Sequence, residues 1–219
     1  MKTVIISGGT IQDGFALDFL KKLQADCILA ADRGLEFCYR NQIEPDYILG
    51  DFDSIDPQII DYYRSQTRIP IYTFNPVKDS TDTDIATRKA VELGAGEIYF
   101  LGATGTRLDH TLSNIYNLSL LRQQGIRGTL VDAYNLITMP LGHSTVLSRE
   151  KQFGKFISCF PFRNEVKGLT LEGFKYPLQD YTLELGDGGL SVSNEIVEEE
   201  ARIRWRAGIL VVMQSRDSF

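Results

Sequence analysis

A chain of 219 residues, 43% hydrophobic and 24% charged, has the composition of an ordinary globular protein with room for one large domain or for one medium and one small, which argues against a disordered or fibrous chain. Its formal charge of −6, with no long Lys/Arg run, argues against nucleic acid or an anionic membrane as main partner and leaves small anions in a local basic pocket. Cys27, Cys38 and Cys159 are too few and too scattered for a disulfide framework or zinc site; with no signal-like leader and no apolar run approaching about 18 residues, a reducing, cytoplasmic setting is expected.

Through the first 140 residues short apolar runs alternate with helix-length amphipathic segments, the α/β pattern of a parallel sheet wrapped by helices. Strands are predicted at Thr3 to Ser7, Cys27 to Ala31, Tyr47 to Leu49, Ile69 to Thr73, Glu97 to Leu101 and Gly128 to Val131. Helices are predicted near Phe15 to Leu23, Gly34 to Asn41, Asp56 to Ser65, Thr83 to Leu93 and Thr111 to Gln123. In such sheets ligands bind beyond the carboxyl ends of the strands. Gly8-Gly9, Asp32-Arg33, Asp51 to Ser54, Asp79 to Asp84 and Gly102 to Asp109 all follow predicted strands. After about Pro140 the rhythm becomes period-2 alternation broken by Gly, Pro and Asn, as in Tyr181 to Leu185 and in Arg202 to Arg206, with an Ala207-Gly208 turn before Ile209 to Met213. Residues 1–140 are thus expected to form an α/β domain and residues 143–219 a smaller all-β sandwich or barrel, whose thin core would lean on the first domain or on a second copy.

Two stretches carry the strongest chemical signal: Gly50-Asp51-Phe52-Asp53-Ser54 and Lys78-Asp79-Ser80-Thr81-Asp82-Thr83-Asp84. In an extended segment Asp51 and Asp53 point to one side and Phe52 to the other, so two hard oxygen ligands converge. If the five carboxylates of both stretches met without a cation, each pair about 5 Å apart would repel by roughly 3 kcal/mol at an effective dielectric near 20. Either a divalent ion sits there or the two segments do not meet. Helix capping competes for some of these residues: Ser54 or Asp56 before Pro57, and Thr81 with Asp84 as a capping box. Capping leaves Asp79, Asp82 and the cation Lys78 unexplained, and these suit a metal with a phosphate.

Gly102 to Gly105, leading into Arg107, Asp109, His110 and Asn114, reads as a glycine-rich loop whose amides approach an anion at a helix N-terminus. His110 is equally a satisfied first-turn histidine, and Gly8-Gly9 reads either as a second anion loop or as a plain tight turn. In the β half, Ser191, Ser193 and Asn194 offer hydroxyls and a carboxamide suited to an uncharged heterocycle, or else close a hairpin. Trp205 alternates with Ile203 and reads as core.

Ala31-Asp32-Arg33-Gly34, Pro45-Asp46, Gly50 to Ser54, Asp79-x-Thr81-Asp82, Gly105-x-Arg107-Leu108-Asp109-His110-x-x-x-Asn114 and Ser191-x-Ser193-Asn194 occur in this order, and over nearly the whole chain the set resembles the thiamine pyrophosphokinases. The resemblance implies a Rossmann-like N-terminal catalytic domain, a C-terminal β domain that helps bind thiamine, and a homodimer with active sites at the subunit interface. It also implies Mg²⁺-dependent transfer of the β,γ-diphosphoryl group of ATP to the thiamine hydroxyl, giving thiamine diphosphate and AMP. Carried over by position, Asp51, Asp53 and Asp82 are the Mg²⁺ ligands, with Asp79 and Asp109 in the same acidic ring. Gly8, Gly9, Asp32, Arg33, Ser54, Lys78, Arg107, His110 and Asn114 border the nucleotide, and Ser191, Ser193 and Asn194 face thiamine across the dimer. Arg33 stands where the family often has Gly. Asp82 or Asp109 is left as acceptor of the hydroxyl proton. Two other classes use parts of the same pattern: a DxD sugar-nucleotide transferase or aspartyl phosphatase, which gives no reason for the Asp82 and Asp109 loops, and a non-catalytic sensor, which would tolerate loss of the carboxylates.

Overall fold

In the computed structural model, which describes residues 1–73, 80–187 and 189–218, contacts divide the chain into two units, Met1–Ala133 and Tyr134–Phe219. The division falls ahead of Pro140 because Asn135–Thr138 already forms a strand whose antiparallel partner is the last strand of the chain.

The first unit runs β1 (Lys2–Ile6), α1 (Asp13–Leu23), β2 (Cys27–Ala31), α2 (Gly34–Arg40), β3 (Tyr47–Gly50), α3 (Pro57–Gln66), β4 (Ile71–Thr73), α4 (Asp82–Glu92), β5 (Glu97–Leu101), α5 (Leu108–Gln123) and β6 (Arg127–Val131). The strands lie in the order β4-β3-β2-β1-β5-β6, every neighbouring pair parallel. Central parallel strands are covered on both faces, which is why they read as apolar runs: Val4, Ile5, Ile6, Leu29, Ala30, Ile98 and Phe100 are wholly buried. The chain steps outward from β1 to β4 and then returns to place β5 on the other side of β1. Progress therefore reverses between β1 and β5, and a crevice opens there at the strand carboxyl ends.

Local chemistry sets the helix starts. Pro57 opens α3, and the Asp56 carboxylate accepts from the Gln58 N–H at 2.9 Å, so Asp56 and not Ser54 is the cap. Thr81 and Asp84 form the reciprocal capping box of α4. Helix α5 begins at Leu108, earlier than the spacing predicts, which puts Asp109 and His110 in its first turn. One expected geometry is corrected. β3 stops at Gly50 and Phe52 adopts a left-handed φ of 61°, so Asp51 and Asp53 are not side-by-side residues of an extended segment. The buried Phe52 ring folds back against Gly50, where a Cβ would lie 3.1 Å from it, and the chain bends between the two carboxylates.

The second unit contains β7 (Asn135–Thr138), β8 (Ser144–Ser148), β9 (Phe156–Pro161), β10 (Glu165–Glu172), β11 (Leu178–Glu184), β12 (Glu200–Arg204) and β13 (Leu210–Ser215), with no helix among its described residues. β7-β13-β9 and β11-β10-β12-β8 are antiparallel sets. Their core gathers Ile157, Leu169, Leu171, Ile203, Leu210 and Val212 around Trp205, whose indole N–H donates to the Gly208 carbonyl at 3.2 Å. Trp205 is core, as its alternation with Ile203 predicts. All three cysteines are buried thiols, and burial pushes Cys38 and Cys159 up to about 12. No helix among the described residues is long and apolar enough to cross a membrane.

Helix α2 starts in contact with the end of β1: a Cβ on Gly34 would sit 1.9 Å from the Ile6 carbonyl oxygen, backbone that cannot give way cheaply. Gly34→Ala is expected to lower unfolding stability by about 3 kcal/mol, the upper range for overpacking, as measured by urea denaturation.

Candidate active site

A cleft of about 510 Å³ lies in the first unit where β1, β2 and β5 end, at the crevice that the strand order creates. Its walls come from the loop after β1 (Gly8 to Thr10), the loop after β2 (Asp32, Arg33), the start of α4 (Thr81 to Thr83), and the loop from Gly102 into the first turn of α5. The N-termini of α4 and α5 both open onto it, each bringing the positive end of a helix dipole.

The two glycine loops are bound to each other. Gly9 N–H donates to the Gly102 carbonyl at 2.7 Å and Thr10 N–H to the Thr104 carbonyl at 2.8 Å, and a Cβ on Gly9 would lie 2.3 Å from the Thr104 oxygen. The Gly9 amide is thus spent inside the fold, and the glycine serves close approach of the loops. Asn114 also acts structurally, its buried carboxamide donating to the Ala103 carbonyl at 2.7 Å. Ser7 and Thr83 share a buried hydroxyl contact of 2.9 Å that ties the end of β1 to α4.

At one side of the cleft the acids gather. Asp32, Asp51 and Asp53 each offer a carboxylate oxygen, all within 4.8 Å of one another. Asp32 lines the cleft, is half-buried, holds a left-handed φ of 47° and accepts from the Ser54 hydroxyl at 3.1 Å. Desolvation pushes its carboxyl above the usual range, against the lowering effect of the Arg33 N–H and the Ser54 hydroxyl; the charges of Asp82 and Asp51 push the same way as burial. Asp82 lines the cleft as well. Asp84 is occupied elsewhere, accepting from Thr81 N–H at 3.1 Å and from the Asn117 carboxamide at 2.7 Å. The five carboxylates of the two stretches therefore do not all converge. Lys78 and Asp79 lie outside the described residues.

Asp109 is exposed and locked to Arg107 at 2.6 Å, and that guanidinium, with the His110 N–H, holds its carboxyl down at about 2. Arg33, Arg107 and His110 line the cleft as exposed residues, and Arg33 is loosely paired with Glu36 at 3.5 Å. Thr10, Thr104, Thr106 and Thr111 also line it, residues that the sequence reading passed over because threonine has no distinctive spacing. In the second unit the three expected polar residues separate. Ser191 is buried with its hydroxyl donating to the Cys159 carbonyl. The buried Asn194 carboxamide accepts from the N–H groups of Tyr176 and Glu195 at 3.0 Å each and donates to the Tyr176 carbonyl at 2.7 Å. Ser193 alone is exposed, with a left-handed φ of 57°.

Residues 20–130 match the family described as "Thiamin pyrophosphokinase, catalytic domain", and residues 143–210 the one described as "Thiamin pyrophosphokinase, vitamin B1 binding domain". The chain is 34% identical over 191 residues to the thiamine pyrophosphokinase of Bacillus subtilis (strain 168), covering 86% of this chain and 87% of that one. The crystal structure of thiamine pyrophosphokinase from Bacillus subtilis superposes with a TM-score of 0.87 at 30% identity, over 99% of this chain and 100% of the other. That of the Geobacillus thermodenitrificans enzyme gives 0.84 at 28% identity, over 100% and 99%.

A half-buried carboxyl held against two like charges lowers stability when no cation is bound. With chelator present, Asp32→Asn is expected to raise the melting temperature by roughly 1–3 °C, whereas added Mg²⁺ should stabilise the native chain more than the variant. Scanning calorimetry of both proteins measures the two shifts.

Proposed function

Because this chain belongs to the thiamin pyrophosphokinase family, we propose that it transfers the β,γ-diphosphoryl group of ATP to the hydroxyl of thiamine, releasing AMP. The observation that carries the reading is the set of three carboxylate oxygens within 4.8 Å beside a cleft that two helix N-termini enter.

The donor set fits Mg²⁺: oxygen only, anionic and clustered, with Asp51, Asp53 and Asp82 as the expected ligands and Asp32 close enough to join them. When bound, the ion neutralises charge on the phosphate oxygens and so lowers the barrier to attack on the β-phosphorus. The N-termini of α4 and α5 bind the polyphosphate through backbone N–H groups, and Arg33, Arg107 and His110 add positive charge or donors at its edge. The thiamine oxygen forms a bond to the β-phosphorus as the bridge to the α-phosphate breaks, and no covalent enzyme intermediate is needed. Asp109, held at about 2 by Arg107, is a poor acceptor for the hydroxyl proton. Thiamine is a cation, so the same acids favour its approach. In the second unit, Ser193 is the one of the three expected polar residues with an exposed side chain to offer thiamine.

A homodimer is supported by α5, where Leu108 (76% exposed), Leu112 (50%), Tyr116 (53%) and Leu120 (52%) recur every four residues and form an apolar stripe on the outward side. A second copy is the occupant proposed for it. A cytoplasmic setting remains the expected one for three reduced, buried cysteines.

Incubation with ATP, Mg²⁺ and thiamine should yield thiamine diphosphate and AMP together, and only with metal; ADP with thiamine monophosphate, or no thiamine product, would remove the reading. Asp51→Asn and Asp82→Asn should each lower turnover by about a hundredfold or more with the fold retained. Ser193→Ala should chiefly raise the KM for thiamine. Leu112→Glu combined with Leu120→Glu should shift sedimentation from dimer to monomer, and an unchanged profile would exclude the α5 face as the interface.

A further inference from the structure

Asp82 stands at the first position of α4, and the turn that carries it is held from three directions. The capping box closes it locally, and Thr83 fastens it to Ser7 at the end of β1. The third hold comes from the neighbouring helix: Asn117, buried on α5, donates from its carboxamide to Asp84 Oδ1 at 2.7 Å. Packing alone gives no reason for an amide there, since its neighbours Leu118 and Leu121 are buried leucines and asparagine is a weak helix former. A hydrogen bond to a carboxylate away from bulk water is short, directional and stronger than a neutral one. It joins the two helices whose N-termini both line the cleft.

We propose that Asn117, acting through Asp84, is a positioning residue: it fixes the first turn of α4 against α5 and so sets where the Asp82 carboxylate stands relative to Asp32, Asp51 and Asp53. This rests on the reading of Asp82 as a metal ligand. Neither Asn117 nor Asp84 touches the reacting atoms. Without their bond the capping box persists and α4 still forms, but its first turn is free to shift within the cleft wall, and a ligand displaced by a fraction of an ångström binds the cation less well.

The test uses the full chain with α,β-methylene-ATP, whose α–β bridge cannot be broken, and Mn²⁺ titrated against it by electron paramagnetic resonance; kcat and KM are measured in parallel. Asn117→Leu keeps the branched shape, removes the amide and leaves the Thr81–Asp84 capping box in place, while Asp84→Ala removes the same bond together with the capping-box bond from Thr81 N–H, at a half-buried position. Each is expected to weaken Mn²⁺ binding about tenfold and lower kcat about tenfold, with the thiamine KM unchanged within about twofold. The double variant should be no worse than Asp84→Ala alone, because the two residues act along one path. Thr87→Val is the control. It removes a buried hydrogen bond of 2.7 Å inside α4 and should lower the melting temperature while leaving Mn²⁺ binding as it was. Unchanged Mn²⁺ binding in folded Asn117→Leu or in Asp84→Ala, or losses in the double variant that simply add, would overturn the proposal. If the native chain makes no thiamine diphosphate yet the Mn²⁺ shift is present, the functional reading falls and the positioning role stands. Turnover without the shift means the reverse.

Discussion

The site depends on a repulsion that the fold is built to withstand. Three carboxylates are held with oxygens inside 4.8 Å, and the charge of a fourth, Asp82, bears on Asp32. Roughly 3 kcal/mol of repulsion per pair at such distances would drive flexible loops apart, so the loops are not left flexible. Asp32 and Phe52 both sit at positive φ, a conformation that costs an aromatic residue energy and persists only where its surroundings enforce it. Phe52 is enforced by burial of its ring over Gly50, and two residues after Asp32 the chain is pinned where Gly34 presses against the backbone of β1. A cation held there would offset the repulsion, whereas the backbone strain is borne by the packing alone.

Helix α5 shows how the same frame serves two surfaces. It departs from an ordinary surface helix: Asn114 and Asn117 are buried beside Leu118 and Leu121, while Leu108, Leu112 and Leu120 are exposed. The buried amides are spent on backbone and carboxylate partners that shape the cleft, at Ala103 and Asp84. The exposed leucines are available to a partner. A helix that faced solvent and core in the usual way would have neither the internal latches nor the apolar stripe.

Much of this was legible in the sequence. Periodicity located the strands and helices of the first unit because parallel strands buried on both faces are apolar throughout, and the ligand-bearing loops followed from the rule that such sheets bind at their carboxyl edge. The caps of α3 and α4 were legible as types but ambiguous as to residue, and only backbone geometry separates Asp56 from Ser54. The convergence of Asp51 and Asp53 was legible while its cause was misread, because strand alternation is a local rule and the left-handed Phe52 is imposed by tertiary packing. In the second unit β7, β8, β9 and β10 were missed: β7 and β8 are short and largely half-exposed, β9 is mostly buried and so does not alternate, and the alternation of β10 is broken by register shifts around the left-handed Gly168. Asn117 was invisible for a different reason. A lone asparagine within a helix has no spacing signature, and only its being one turn beyond Asn114 on the same face hinted at a shared role.

Motif residues also divide by whether their polar atoms remain available. Asn114, Ser191 and Asn194 lie within the ordered set that marks the family, yet each spends its side chain on a backbone group inside the fold. A buried amide or hydroxyl so occupied can meet a ligand only by giving up a bond worth about 1 kcal/mol net and leaving its former partner unsatisfied, at a further cost of about 1–3 kcal/mol. The residues that keep a side chain exposed or turned to the cleft are Asp32, Asp82, His110 and, in the second unit, Ser193, and under the proposed function they are the ones left to meet substrate. The others keep those residues where they are, so their loss is felt at the site through geometry and not through a missing contact.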